Sequence, residues 1–340
     1  MKEQSSRMPS GVVVAPGKFA VEQRDRLQDV PDGWVLIDIC AVGLCGTDYH
    51  ILEGKHPYLE YPRVIGHELS GCVATTAEGW TKGQLVVINP YLACGECRAC
   101  RKGKPNCCTK IEVLGVHRDG GLTSQIAVPA RNLIDATGLS LRQAAMVEFL
   151  AIGAHAVARS DVANGDDVLV TGVGPIGLGT ALFARLRGAN VSLLDLEPAR
   201  LDKAAKAFGF TSGFTSIATA LEGGYPDGFD AVFDATGNKG AIEAGFPAIA
   251  HGGAYVLVSV VKEDICFSDP EFHKREMRLI GSRNALSEDF AHVMASIRDG
   301  AIDTDALCSS VITLDELQDT FGALANSRAE LIKVLVELKP

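Results

Sequence analysis

The sequence predicts an α/β protein with a β-rich first domain and a second domain built on a doubly wound parallel sheet. Between Gly11 and about Leu133, short Val/Ile-rich runs alternate with Gly, Pro and Asp turns, which is typical of an irregular β domain. Beyond Asp167, apolar strands alternate with helical segments at βαβ spacing. That alternation favours a parallel sheet with helices on both faces.

The first domain and its end are marked by local signals. Strands are predicted at 34–39 and 85–88, where apolar residues are bounded by turn residues. Ser140 and Gln143 form a capping-box pattern, which predicts that a helix starts there and continues through the apolar run to Ala158. We expect the catalytic domain to cover residues 1–147.

The second domain and the tail follow. Strands are predicted at 168–170, 191–194, 231–233, 255–260 and 279–280. The tail has helices near 287–299 and 314–324 and a last strand near 333–338. We expect a nucleotide-binding domain at 148–285 and a return segment at 286–340 that packs on the first domain.

Composition excludes several classes of function. The chain has 340 residues, 47% of them hydrophobic, and a net charge of -10, which opposes binding to the phosphates of a nucleic acid. Its most apolar stretches are too short to cross a bilayer. The polar start MKEQSSR does not resemble a secretion signal. We therefore expect a cytoplasmic protein with neither nucleic acid nor membrane as a partner.

A dinucleotide site is predicted after the first strand of the second domain. Gly172, Gly174 and Gly177 form G-x-G-x-x-G between a strand and a helix, with Pro175 and Ile176 inside the turn. The glycines allow a tight turn and a close approach of the backbone to a pyrophosphate, and the helix N-terminal amides face that anion. The placement between strand and helix makes this pattern specific.

The residues after the next strand bear on the choice of cofactor. Asp195 lies where a carboxylate accepts hydrogen bonds from the adenosine ribose hydroxyls and repels a 2′-phosphate, which favours NAD over NADP. Arg200 is the one nearby cation that could favour NADP instead. Thr236, before Gly237, ends a later strand and is expected to border the cofactor.

Cysteines form a closed metal-binding pattern within 94–108. Cys94, Cys97, Cys100 and Cys108 make a C-x2-C-x2-C-x7-C array, and four thiolates complete the tetrahedral shell of a structural zinc. The spacing leaves open whether Cys107 or Cys108 is the fourth ligand. Four other cysteines are predicted to be small core residues: Cys40, Cys72, Cys266 and Cys308.

A second set of ligands is dispersed along the chain. Cys45 lies in VGLCGTDYH, His67 and Glu68 lie in VIGHELSG, and Glu148 lies inside an apolar run where an unpaired carboxylate is costly. A thiolate, an imidazole and carboxylates together suit a catalytic zinc that keeps one position open. His155, two helical turns after Glu148, is instead interpreted as a core histidine.

At these residues the chain resembles the zinc-containing medium-chain dehydrogenase/reductase family along its whole length. The CGTD turn, the GHE segment, the four-cysteine lobe and the GVGPIG turn carry the resemblance. It implies a GroES-like catalytic domain joined to a Rossmann domain, and it favours Cys108 as the fourth ligand. In the branch similar to sorbitol and threonine dehydrogenases, a glutamate at the position of Glu148 is a ligand of the catalytic zinc, although that branch usually has proline where this chain has Phe149.

The resemblance also implies an activity. Segments 115–121 and 267–285 look most like hexonate 5-dehydrogenases such as those acting on L-galactonate. The implied reaction moves a hydride from a secondary alcohol of a polyol or sugar acid to NAD, while Thr47 and His50 carry the proton to solvent. A homodimer or homotetramer is implied. The cations that could meet a substrate carboxylate are Arg118, Lys55 and Arg283.

The sequence is compatible with two other functions. A zinc-free NADPH enone reductase of the same architecture would have metal only at the cysteine lobe. A non-catalytic NAD-binding protein would keep the fold without needing Cys45. The intact Cys45, His67 and Glu68 favour the zinc dehydrogenase with two zinc ions per chain, one catalytic and one structural.

Overall fold

The computed structural model describes residues 7–56, 59–77 and 79–338. Within them the chain divides into two units: the first ends at Glu148 and resumes at Met294, and the second is Phe149–Val293. The first six residues of the polar N-terminal segment lie outside the described range. Each unit is described separately below.

The first unit is rich in β structure. Its helices before Glu148 are α1 (Gly46–Leu52), α2 (Arg98–Arg101) and α3 (Leu141–Ala145). Its strands in this part are β1 (Arg7–Ala15), β2 (Lys18–Asp25), β3 (Trp34–Leu44), β4 (Arg63–Val64), β5 (Glu68–Val73), β6 (Leu85–Ile88), β7 (Tyr91–Leu92), β8 (Glu112–Val113), β9 (Gln125–Pro129) and β10 (Leu133–Asp135).

The second unit alternates strands and helices. Helix α4 (Val147–Ser160) leads into it, and its further elements in chain order are β11 (Asp167–Thr171), α5 (Pro175–Leu186), β12 (Asn190–Leu194), α6 (Pro198–Phe208), β13 (Ser212–Phe214), α7 (Ile217–Glu222), β14 (Phe229–Asp234), α8 (Lys239–Gly245), β15 (Ile249–Leu257), α9 (Asp269–Lys274) and β16 (Arg278–Gly281).

The tail returns to the first unit. Helix α10 (Ser287–Arg298) is followed by α11 (Thr304–Leu307), β17 (Cys308–Thr313), α12 (Leu314–Ser327) and β18 (Lys333–Glu337). Helix α12 begins at a capping box in which the Thr313 side chain accepts from Glu316 N, and Glu316 accepts from Thr313 N.

The main sheet of the first unit joins the tail to the N-terminal part. Its strand order is β10-β6-β5-β3-β18-β17, and β9 also pairs with β3. Strand β18 runs antiparallel to β3, so the tail supplies an inner strand of this sheet. Tail side chains such as Leu317 and Phe321 share one core with Ile37, Ile39 and Leu69.

The sheet of the second unit is parallel with the order β13-β12-β11-β14-β15-β16. In the order of the strands along this unit, that is 3-2-1-4-5-6, the doubly wound arrangement predicted from the sequence. The order reverses between β11 and β14, and ligands of such sheets bind at the carboxyl ends of the strands at this point.

Two predicted elements differ in detail from the structure. The helix expected to run on from Ser140 is divided into α3 and α4 at Met146. The strand expected at 255–260 ends at Leu257, because the amides of Val258 and Ser259 both donate hydrogen bonds to the carbonyl of Asp234.

Among the described residues, no helix combines the length and the apolar character needed to span a bilayer.

Candidate active site and metal centres

The four-cysteine lobe brings its sulfurs together. The Sγ atoms of Cys94, Cys97, Cys100 and Cys108 all lie within 4.8 Å of one another. Backbone amides point at them: Cys94 N and Lys110 N each donate to Cys108 Sγ at 3.3 Å. Backbone hydrogen bonds lower the pKa of Cys97 to about 5, which favours the thiolate that zinc requires. Cys107 is exposed and is not in the group. The donor set fits a closed structural zinc.

The dispersed set also converges. One ligand atom each from Cys45, His67 and Glu68 lies within 4.8 Å of the other two. The reason is the pairing of β3 with β5, in which Gly43 is the partner of Glu68. Cys45 follows the end of β3, and His67 precedes the start of β5. A Cβ at residue 43 would collide with the Glu68 carboxylate, so a side chain there would displace this carboxylate from its position.

Two polar atoms of this group lack a hydrogen bond. Glu68 Oε2 and His67 Nδ1 are buried and have no hydrogen-bond partner among the described residues. Leaving a buried polar atom unpaired is costly. A cation bound beside the Cys45 thiolate would satisfy the carboxylate oxygen, so the residues present fit a divalent metal such as zinc.

Helix α1 ties the ligand segments together through Asp48. This residue is fully buried, and its carboxylate accepts from Cys45 N at 2.9 Å and from Gly66 N at 3.2 Å. His67 Nδ1 lies 4.0 Å from Asp48 Oδ1. Burial lowers the pKa of His67, but the neighbouring Cys45 and Asp48 outweigh it and raise that pKa well above its usual value.

The predicted proton carriers lie on the same helix. Thr47 Oγ1 is 3.9 Å from Cys45 Sγ, close to the cluster. His50 lies in the last turn of α1 and is exposed. The helix therefore begins at the proposed metal ligand and places an imidazole in contact with solvent one turn later.

Glu148 is buried but is not part of the three-residue group. The hydroxyl of Tyr91 donates a hydrogen bond to Glu148 Oε1. Burial raises the pKa of Glu148 to about 7, against the lowering effect of His67, which indicates that the two side chains are near each other. Tyr91 was not predicted from the sequence, because a tyrosine beginning a short strand gives no separate signal.

Lys333 is a second residue of the site that was not predicted from the sequence. Its Nζ donates to Glu68 Oε1 at 2.6 Å and to Leu44 O at 3.2 Å. The side chains of Lys333 and Glu68 are 1% and 0% exposed, so this ion pair is fully desolvated. Burial lowers the pKa of Lys333, but the Glu68 and Cys45 charges raise it above its usual value. A lysine inside the apolar strand IKVLVEL was the available signal.

The glycine turn of the second unit lies between β11 and α5. Gly172 follows β11 with φ +84°, a value that favours glycine, and a Cβ at Gly177 would collide with Gly172 O. Gly174 is the N-cap of α5 and provides no side-chain cap, while Pro175 occupies the first turn. A Cβ at Gly174 would meet no atom within 4 Å. Uncapped helix amides beside open space fit the pyrophosphate of a dinucleotide.

Asp195 is connected to this turn. Its Oδ2 accepts from Val173 N at 2.8 Å, and its Oδ1 accepts from Glu197 N at 3.0 Å. Arg200 Nη1 lies 3.2 Å from Asp195 Oδ2, so the carboxylate expected to favour NAD and the cation expected to favour NADP form an ion pair.

A cluster of hydroxyl groups surrounds the buried Asp234 at the end of β14. Its carboxylate accepts from Thr171 Oγ1, Thr236 Oγ1 and Ser259 Oγ, each at 3.0 Å. Ser259 Oγ in turn accepts from Gly237 N at 2.8 Å. Asp234 therefore holds the strand-end turn in which the predicted cofactor neighbour Thr236 lies.

The remaining candidates have local partners. Arg118 stacks 5.2 Å from the centroid of the Trp34 ring and pairs with Glu112 at 3.3 Å, and Lys55 pairs with Glu53 at 2.9 Å. The structure places Arg283 in the second unit. His155 Nδ1 lies 2.8 Å from Asp289 Oδ2 with both side chains buried, as expected of a core histidine. Cys266 is exposed, so its assignment to the core was wrong.

Comparison with known families gives two matches. Residues 31–138 match the alcohol dehydrogenase GroES-like domain. Residues 175–299 match the zinc-binding dehydrogenase family. The first match covers most of the first unit before Glu148, and the second covers most of the parallel-sheet unit.

Individual relatives extend over nearly the whole chain. L-galactonate-5-dehydrogenase of Escherichia coli K12 is 40% identical over 321 residues, which are 90% of this chain and 92% of that protein. A dehydrogenase structure from Escherichia coli CFT073 complexed with NADH has a TM-score of 0.91 and 27% identity, covering 98% of this chain and 100% of its own.

A further structure differs in its cofactor. The zinc-binding dehydrogenase of Sinorhizobium meliloti 1021, bound to NADP, has a TM-score of 0.90 and 28% identity over 98% of this chain and 100% of its own. These matches confirm the predicted fold class. The chain belongs to the zinc-binding medium-chain alcohol dehydrogenase family, with a GroES-like domain and a Rossmann domain.

Proposed function

We propose that this protein oxidises a secondary alcohol of a polyol or sugar acid with NAD, using a zinc ion held by Cys45, His67 and Glu68. The convergence of these three side chains, with one unpaired buried carboxylate oxygen among them, is the observation that carries the proposal. A structural zinc in the four-cysteine lobe would bring the total to two per chain.

The contacts of the two carboxylates determine their roles at the proposed zinc site. Zinc, when bound, acts as a Lewis acid that lowers the pKa of the substrate hydroxyl. Lys333 neutralises part of the Glu68 charge and occupies its Oε1, which leaves Oε2 for the metal. Glu148 accepts a hydrogen bond from Tyr91 and lies beside His67. Its carboxylate is the further ligand of the zinc in our proposal, either directly or through a water molecule.

The nucleotide site belongs to the domain we assigned to 148–285. NAD supplies the nicotinamide carbon that accepts the hydride. The amides at the start of α5 hold the pyrophosphate next to Gly172 and Gly174. Asp195 supports a preference for NAD because a carboxylate at this strand end accepts hydrogen bonds from ribose hydroxyls and repels a 2′-phosphate. The paired Arg200 is less able to attract that phosphate than a cation without a partner would be.

The proton of the hydroxyl must leave a buried site. Thr47 Oγ1, next to Cys45, receives it first in our proposal, and His50 passes it to solvent because its imidazole is exposed at the end of α1. Histidine suits this role because its pKa lies near neutral pH.

The substrate class rests on relatedness. The relative named for L-galactonate shares 40% identity over 90% of this chain, which supports an L-galactonate-like hexonate as the substrate. Arg118, Lys55 and Arg283 stay the candidate partners for its carboxylate. We also propose that the enzyme works in the cytoplasm, where the lobe thiols stay reduced, as a homodimer or homotetramer.

Metal content and turnover test the proposal together. We expect two zinc ions per chain, NADH formation from hexonates or polyols, and loss of one zinc together with activity in Cys45→Ser. Cys308→Ser, a half-buried cysteine outside both clusters, is the matched control. One zinc per chain, together with reduction of enones by NADPH, would instead support the enone reductase, which has no catalytic zinc. NAD binding without any turnover would support the non-catalytic one.

A further inference from the structure

Two cysteines assigned to the core lie against each other on neighbouring strands. The Sγ atoms of Cys40 on β3 and Cys72 on β5 are 3.8 Å apart. The sulfurs of a disulfide are about 2.05 Å apart, so they would need to approach by a further ~1.8 Å. Both residues are free thiols. Neither belongs to the two groups of proposed metal ligands.

The backbone at Cys40 favours this approach. The pairing of β3 with β5 runs from Ile39↔Gly71 to Ala41↔Ser70, which leaves Cys40 as the extra residue of a bulge. A bulge residue is left out of the ladder between its strands. Cys40 can therefore shift towards Cys72 without breaking a ladder hydrogen bond to β5, while its carbonyl still accepts from Leu338 N at 2.9 Å.

The two thiols differ in access. Cys40 is buried, with 7% of its surface exposed, whereas Cys72 is only partly buried. Burial, together with the neighbouring Cys72, raises the pKa of Cys40 to about 12. An oxidant in solution therefore reaches Cys72 first, and Cys40 is the thiol beside it that can complete a disulfide.

We propose that Cys40 and Cys72 form a reversible oxidation site, which a hydroperoxide such as hydrogen peroxide converts into a disulfide within the sheet. Cys72 sulfur attacks the peroxide, an S–O bond forms, the O–O bond breaks, and the first water leaves. Cys40 sulfur then attacks the Cys72 sulfenic acid, the S–S bond forms, the S–O bond breaks, and the second water leaves with the thiol proton. Two thiols are oxidised and one peroxide is reduced.

The bond would close a loop of functional importance. Strand β3 leads into Cys45, and strand β5 begins at Glu68 directly after His67. All three residues lie between 40 and 72, so the disulfide would enclose them in one covalent loop. A crosslink of this kind restricts the unfolded chain. We expect the unfolding temperature of the first unit to rise on oxidation.

Peptide mapping of the zinc-loaded protein tests the proposal. After mild treatment with hydrogen peroxide, we expect peptides containing Cys40 and Cys72 to be joined with the loss of two hydrogens, and dithiothreitol to separate them. Cys72→Ser should abolish this product and the rise in unfolding temperature. Cys266→Ser removes an exposed cysteine and should change neither. The zinc content per chain, measured before and after the peroxide treatment, shows whether the thiols of the four-cysteine lobe have been oxidised.

A second variant tests for the sulfenic acid intermediate at Cys72. In Cys40→Ala the sulfenic acid at Cys72 has no thiol to meet, so dimedone should label Cys72 in this variant and not in the parent protein. The proposal is overturned if both cysteines of the parent remain alkylatable while Cys266 is oxidised, or if Cys72 pairs with a cysteine other than Cys40.

Discussion

Lys333 Nζ lies 2.6 Å from Glu68 Oε1, and the two residues, 265 positions apart in the chain, form an ion pair from which solvent is excluded. Their strands are not neighbours in sequence, but both pair with β3. The return segment therefore supplies the cation that balances a proposed metal ligand. The site depends on the tail although no proposed ligand comes from it.

Lys333→Met should destabilise the first unit strongly. It leaves Glu68 Oε1 buried without its ammonium partner, and breaking one side of such a pair costs up to about 3–5 kcal/mol. Denaturant unfolding of zinc-loaded wild type and variant measures the difference. Lys82→Met, at an exposed lysine, should change stability by less than about 0.5 kcal/mol. An equal effect of the two substitutions would contradict a structural role for the pair.

The cysteine lobe offers a comparison between adjacent residues. Cys108→Ser removes a sulfur that lies within 4.8 Å of the other three, whereas Cys107 is exposed outside the group. We expect Cys108→Ser to lose one zinc per chain and to unfold at a lower temperature, because structural zinc contributes directly to folding. Cys107→Ser should keep both zinc ions. Metal analysis of the two purified variants decides between the adjacent cysteines.

These two sites show what sequence could and could not predict. The cysteine lobe was predictable because its ligands lie within 15 positions, from Cys94 to Cys108, and the doubly wound sheet because its apolar strands recur at regular intervals. The partners of Lys333 and Tyr91, and the Cys40–Cys72 contact, depend on which strands pair and in what register. That information lies in tertiary packing, and a single sequence does not display it.

Asp195→Ala should weaken the discrimination between NAD and NADP. The substitution removes the proposed acceptor of ribose hydrogen bonds, frees Arg200 from its ion pair and ends the repulsion of a 2′-phosphate. Hydrogen bonds to charged groups are worth about 1.5–3 kcal/mol, so the ratio of kcat/KM values should move towards NADP by about tenfold to a hundredfold. Asp202→Ala, at an exposed aspartate of α6, is the control. An unchanged ratio would remove the argument for NAD.

Asp234→Asn should change how stability depends on pH. Burial raises the pKa of Asp234 above its usual value, against the lowering effect of the donors on Thr236, Ser259 and Thr171. The native protein therefore keeps this proton to a higher pH than the unfolded chain does. The contribution of Asp234 to stability is greatest below the unfolded pKa and is lost as the pH rises through the native pKa.

Asparagine does not titrate, so the stability of the wild type relative to the variant should fall as the pH is raised from about 4 to about 8. Thermal unfolding of both proteins at several pH values measures this difference, and contributions from groups that the two proteins share cancel in it. Because Asp234 also holds the turn at Thr236 and Gly237, the variant should bind NAD more weakly at neutral pH, which a fluorescence titration of the cofactor detects. A stability difference that stays constant as the pH rises, or that changes in favour of the wild type, would show that the pKa of Asp234 is not higher in the native state than in the unfolded state.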